Sequence, residues 1–214
     1  MKPIIAIFIH DPQCETECAL GIIDGLVHDF DIRTFGLDNL TAQFLHQFDA
    51  VCFPGGMGDS DDFYDIFTAE HIGVIQDYIA DGGKYFGICM GAYWAGSNYF
   101  NVTPGLTIDQ YIEQPTSNIS YDGATVAEVT WMGTKETMYF YDGCAILGES
   151  WDMDTYATYA NGDPMAVIKG NVGIIGCHPE ALPWWFREGG MEEYYDSDHA
   201  YLMVDFVKQL VNNE

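Results

Sequence analysis

Residues 83–96 read GKYFGICMGAYWAG. A short apolar run ends at Ile88, helix-compatible sequence starts at Met90, and Cys89 is left on the turn between them. Glycines at 87 and 91 make this a G-x-nucleophile-x-G pattern, in which small flanking residues let the backbone fold tightly and lift the side chain above a sheet. The free N–H groups of the following helix, and its positive dipole end, would face the sulfur and favour the reactive thiolate. Against this, a free cysteine is usually a small buried hydrophobe. Taken alone, the turn leaves packing and reactivity evenly balanced.

Working outward, PIIAIFI (3–9), DIRTFGL (31–37) and DAVCFPG (49–55) repeat the short apolar pattern of GKYFGI (83–88), and segments of helical character separate them. That rhythm predicts a parallel sheet with crossover helices. Helices are expected over 16–28, capped by Thr16, and over 69–80, stopping at Gly82 and Gly83. Beyond Tyr99 the texture changes to aromatic, strand-like segments broken by Asp-Gly and Asn-Gly turns: TPGLTI, NISYDG, ATVAEVTW, ETMYFYDGCAIL and TYATYANGD. These predict antiparallel strands joined to the parallel sheet. A hairpin turning at Gly170 and Asn171 and a closing helix through HAYLMVDFVKQLVNN complete the chain. No linker, repeat or low-complexity tract interrupts it, so residues 1–214 are expected to form one domain.

At 214 residues and 48% apolar content the chain can bury a sizeable core. No stretch approaches the roughly eighteen apolar residues of a membrane span, and MKPIIAIFIHDP reads as a first core strand, not a leader. Six unevenly spaced cysteines suit reduced thiols in a cytoplasm; a Cys14–Cys18 bridge has no other support. The formal charge of −26 repels nucleic acid and anionic lipid, so neither is expected as a partner. DSDDFYD (59–65) and MEEYYDSD (191–198) are read as solvated surface, the first lacking the glycine and terminal glutamate of a calcium loop. No metal and no cofactor are expected.

Two further motifs bear on Cys89. GCHPEAL follows the strand VGIIGC and delivers His178, a natural base for a thiol, with Glu180 two residues on to fix its tautomer. A lone histidine at a strand end is more often structural, but the nearby carboxylate raises the functional reading. Cys177 is assigned to the opposite, core face. FPGGMGD follows another strand, and its paired glycines would let the Gly56 N–H, together with that of Met90, bind an oxyanion. Strand ends at the carboxyl edge of a parallel sheet share one crevice, so the three motifs would meet.

With FPGG, GICMGAYWAG and GCHPE in place, the chain resembles class I glutamine amidotransferase-like domains. It is most similar to the amidotransferase-like N-terminal domain of biotin-protein ligases, through Tyr93 after the elbow, MYFYDGCAIL, and TYATYANGDPMAVI. The resemblance covers about Ala50 to Phe186 and lacks the ligase's own catalytic and biotin-binding domains. It implies an α/β three-layer sandwich with a mostly parallel, flavodoxin-like central sheet and an antiparallel β insertion. It also implies a triad of Cys89, His178 and Glu180, with the Gly55–Gly56 turn and Met90 as oxyanion hole. Authentic glutaminases carry Gln four residues after the nucleophile; here that position is Tyr93.

The resulting expectation is a cysteine-dependent amidase, hydrolase or acyl-transfer enzyme acting on a small carbonyl substrate. Tyr93 narrows the pocket, and only seven basic residues are available to hold a substrate carboxylate. The substrate is therefore expected to be neutral or cationic, or else a partner protein completes the pocket. Glu180 is expected at a solvent-reaching crevice. The alternatives are a non-catalytic ligand-binding or regulatory module that keeps the elbow for structural reasons and, more distantly, a redox-sensing Cys89.

Overall fold

The structure is a computed structural model that describes residues 2–213. Strands β1 (Ile4–Phe8), β2 (Asp31–Phe35), β3 (Ala50–Phe53), β4 (Lys84–Ile88) and β11 (Val172–Ile175) lie parallel in the order β2-β1-β3-β4-β11. The sheet continues antiparallel through β10 (Pro164–Lys169), β9 (Asp154–Tyr159), β6 (Thr125–Trp131) and β7 (Thr134–Phe140), reaching nine strands. A separate antiparallel ribbon pairs β5 (Thr107–Gln110) with β8 (Cys144–Leu147).

Both faces of the parallel half are covered, as the unbroken apolar character of its strands requires. Successive side chains alternate between faces. Ile5, Ile7, Cys52, Phe86 and Ile88 meet helices α1 (Thr16–Leu26) and α7 (His199–Asn212) on one side. Phe8, Val51, Phe53 and Tyr85 meet the other side, formed by α2 (Ala42–Leu45), α3 (Phe63–Ile66), α4 (Ala69–Ala80) and α5 (Met90–Trp94). The second face is an aromatic cluster in which Phe53 stacks on Tyr85 and tilts against Phe8 and Phe100 at centroid separations of 5.1–5.2 Å. Each such ring contributes about 1.5–3 kcal/mol through burial. Helix α6 (Pro183–Glu188) follows the histidine segment. No helix is long and apolar enough to cross a membrane among the described residues.

Several sequence expectations shift in detail. Helix α1 ends at Leu26, and Thr16 does not cap it: Thr16 N and Oγ1 donate to the Asp11 carboxylate at 2.8 and 2.9 Å. Helix α4 starts with a Thr68–His71 capping box and ends before Gly82, whose φ is +98°. NISYDG is irregular, because strand β6 begins only at Thr125. The Asp142-Gly143 turn does not close a hairpin; it sends the chain from β7 in the main sheet to β8 in the ribbon. The predicted hairpin at Gly170 and Asn171 forms, with Gly170 at φ +56°. All six cysteines are free and buried, so Cys14 and Cys18 are not bridged.

Candidate active site

Cys89 leaves β4 with φ 50° and ψ −106°, a left-handed backbone that a non-glycine residue holds only when its surroundings impose it. The surroundings here are the two glycines. A Cβ on Gly87 would come within 2.6 Å of the Gly91 carbonyl carbon, and one on Gly91 within 2.7 Å of that of Phe53. The Cys89 N–H donates to Ile175 O at 2.9 Å, fixing the elbow to β11, and its own carbonyl accepts from Ala92 and Tyr93 to start α5. That helix has only five residues, and its Gly91 N–H donates to Pro54 O at 3.2 Å, so of its first-turn donors only the Met90 N–H is left without a backbone acceptor among the described residues.

His178 lies three residues beyond the end of β11 and is held by its N–H, which donates to Tyr139 O at 3.0 Å. Its Nδ1 is 2.8 Å from Glu180 Oε1, and its ring packs edge-on against Tyr139 and Trp185. Gly55 brings the ring to the elbow: a Cβ there would meet His178 Cε1 at 2.7 Å and Cys89 Cβ at 3.3 Å. Burial works against a charged imidazole, but the Glu180 carboxylate and the Cys89 sulfur more than offset it and raise the His178 pKa to about 10. Glu180 is buried at 2% exposure, which corrects the expected solvent-reaching position. The Cys89 Sγ donates to Tyr141 O at 3.5 Å.

Two cavities meet around these groups and share Gly56, Met57 and Tyr141. One, of about 630 Å³, is reached by Cys89, Gly56, Met90 and Tyr93. Neither the Gly56 nor the Met90 N–H has a backbone acceptor among the described residues. Tyr93 donates its hydroxyl to Asp142 O at 3.0 Å. Asp59, Asp109, Asp122 and Asp142 also line this cavity, and among the described residues no lysine, arginine or histidine does. Burial and the neighbouring Asp122 and Asp59 raise the Asp142 pKa, against two hydrogen bonds from Gln110. The second cavity, of about 310 Å³, is lined by Cys18, His178, Tyr139 and Trp185 with Glu15, Glu17 and Glu188.

The fold as a whole recurs in solved structures that cover nearly all of the chain. PurLQS from Thermotoga maritima superposes with a TM-score of 0.67 at 16% identity, covering 98% of this chain and 100% of that one. A glutamine amidotransferase from the same organism gives 0.66 at 9%, covering 99% of each. A glutamine amidotransferase from Methylobacillus flagellatus gives 0.60 at 13%, covering 100% and 94%. The chain has the class I glutamine amidotransferase-like fold. Within it, the family model for the biotin-protein ligase N terminus matches residues 13–108, the part that carries the glycine turn and the cysteine elbow. No curated protein matches the chain.

On this amidotransferase-like frame Cys89, His178, Glu180, Gly55, Gly56, Met90 and Tyr93 all converge at the carboxyl edge of the sheet. Sequence reasoning missed Cys18, Tyr141, Trp185 and the four aspartates. Cys18 carried only the signal of a possible partner for Cys14. The aspartates are scattered over three loops and one strand, and nothing in their spacing announces a common wall.

Proposed function

We propose that the chain is a cysteine-dependent amide hydrolase or acyl-transfer enzyme. The observation that carries this reading is the left-handed Cys89 beside a buried His178–Glu180 pair. His178 holds the Cys89 proton as an imidazolium, and the Cys89 thiolate attacks the substrate carbonyl carbon. The oxyanion that forms lies against the Gly56 and Met90 N–H groups; one such donor is worth about 10²–10³ in rate. His178 then gives its proton to the leaving amine, which is ammonia for a primary amide, and a thioester remains. Water attacks the thioester, His178 takes the proton of that water, and the acid departs as the thiol is restored. Glu180 keeps the ring oriented and supports its charged form throughout.

The cavity wall supports a neutral or cationic substrate over a free amino acid. The carboxylate of L-glutamine would face Asp59, Asp109, Asp122 and Asp142 with no cation to pair it, and leaving such a group unpaired costs about 1–3 kcal/mol or more. Tyr93 already spends its hydroxyl on Asp142 O.

The test is alkylation of Cys89 by iodoacetamide at several pH values in wild type and His178→Ala, followed by ammonia release from L-glutamine and from a cationic amide such as glycinamide, with Cys89→Ala as blank. Fast, His178-dependent alkylation of Cys89 and a preference for glycinamide are expected. Uniform reactivity of all accessible cysteines, unaffected by His178, would favour the non-catalytic module. Robust turnover of L-glutamine by the isolated chain would show the substrate reading to be wrong. An activated Cys89 without turnover of either amide would favour a partner protein that completes the pocket.

A further inference from the structure

Cys18 has no part in the chemistry above, yet α1 carries it to the back of the triad. Its Sγ, a ring nitrogen of His178 and a carboxylate oxygen of Glu180 all lie within 4.8 Å of one another. The three residues are buried, at 4%, 4% and 2% exposure. Glu180 Oε1 is occupied by His178, but Oε2 is fully buried and has no hydrogen-bond partner. A desolvated carboxylate oxygen without a donor is costly and is normally satisfied by a proton, a water or a cation. A thiolate, an imidazole and a carboxylate form a borderline-soft set, which selects zinc over magnesium or calcium, and three protein ligands leave a fourth position for water.

Access follows from the cavity of about 310 Å³, whose lining holds both Cys18 and His178. Glu15, Glu17 and Glu188 stand in the same wall, and among the described residues no lysine or arginine does. Carboxylates crowded on one wall raise the local concentration of a dication. The sulfur that reaches this side is that of Cys18, whereas Cys89 opens to the other cavity.

We propose that Cys18, His178 and Glu180 bind a zinc ion that inhibits Cys89 chemistry by withdrawing His178 from it. Zinc takes Cys18 as the thiolate, and the thiol proton passes to solvent. The imidazole gives the metal the lone pair that would otherwise hold a proton, so no electrons are transferred and a chelator reverses the change. The inhibitory part rests on the reading of His178 as the base for Cys89; the binding part does not.

Metal-free wild type, Cys18→Ser and Cys18→Ala are dialysed against graded zinc chloride in excess magnesium, which masks surface carboxylates. Circular dichroism checks that each variant is folded, and the near-isosteric serine variant decides if alanine unfolds the chain. One zinc per wild-type chain is expected, with affinity falling at least tenfold in the variants. Zinc should also slow Cys89 alkylation at least tenfold in wild type, reversibly with EDTA, and each variant should need correspondingly more zinc for the same effect.

Equal zinc binding by wild type and variants, or none above background, overturns the site. Protection of Cys89 that persists unchanged in the Cys18 variants assigns the metal to Cys89 itself and also overturns it. The zinc-free comparison with His178→Ala separates the two readings. If that variant alkylates as fast as wild type, the base role fails while Cys18-dependent binding stands. If it is slow, yet Cys18-bound zinc leaves Cys89 reactivity unchanged, the inhibition fails alone.

Discussion

The parallel and antiparallel halves of the sheet contribute differently to the candidate site. From the parallel half come the groups with defined backbone roles: Cys89 after β4, the Gly55–Gly56 turn after β3, and His178 beyond β11. Their positions follow from strand ends that point the same way. The antiparallel half and its ribbon provide walls: Asp109 from β5, Tyr141 and Asp142 from the β7–β8 link, and Asp122 from the segment before β6. The first set is constrained by steric contacts of a few ångströms around glycines, whereas the second is constrained mainly by charge. Reactivity should therefore depend steeply on the parallel half, and selectivity more gently on the antiparallel one.

The steepest test removes the base. His178→Ala should slow Cys89 alkylation at pH 7 by about 10²-fold, the low end of what a positioned general base contributes. Rates are read by peptide mapping of all six cysteines. Burial pushes the Cys14, Cys18, Cys52, Cys144 and Cys177 thiols up, so those five should stay slow in both proteins.

Next comes Gly55→Ala, which leaves every polar group in place but puts a methyl 2.7 Å from His178 Cε1. Displacing the ring should cost about tenfold in alkylation rate, together with about 1–3 kcal/mol of stability from overpacking, measured by urea denaturation. A variant as reactive and as stable as wild type would mean that the ring tolerates movement and that the close fit is incidental.

Glu180→Gln should lower Cys89 reactivity several-fold and destabilise the chain, because the imidazolium loses its buried partner. The pH dependence has a definite sign. The His178 pKa is raised to about 10 from an unfolded value of about 6.5. Stabilisation from the charged pair is thus fully present below about pH 6.5 and is lost as the pH rises through about 10. Wild-type stability should fall over that window more than that of Glu180→Gln, in urea melts at matched ionic strength. Parallel curves would indicate a neutral His178 in the folded chain.

The gentlest effect belongs to the antiparallel wall. Asp122→Asn and Asp142→Asn should leave the iodoacetamide rate within about twofold, yet raise the ratio of iodoacetate to iodoacetamide reactivity by about two- to fivefold, as charges near a cleft change the local concentration of an anion. An unchanged ratio would remove charge from the account of selectivity.

Much of this division was legible in the residues themselves. The elbow could be read because a glycine two positions to either side of Cys89 is a local requirement, and GCHPE because the strand before it is short and apolar. That this half is parallel followed from the alternation of strands and helices; its strand order did not. Less could be read after Tyr99, where NISYDG has strand composition but no partner and Asp142-Gly143 links two sheets instead of closing a hairpin. Turn chemistry specifies a local bend; pairing depends on which distant edge is free.

By itself, then, the sequence determined the fold class, the tight cysteine turn, and the three segments that meet at the carboxyl edge of the sheet, since each depends on neighbours within a few residues. Tertiary structure alone decided that Glu180 is buried, that Cys18 stands behind the imidazole, and that aspartates from separate segments share one cavity. Those facts depend on how α1 and the antiparallel ribbon pack against the parallel sheet, and packing between elements far apart in the chain leaves no periodicity in either of them.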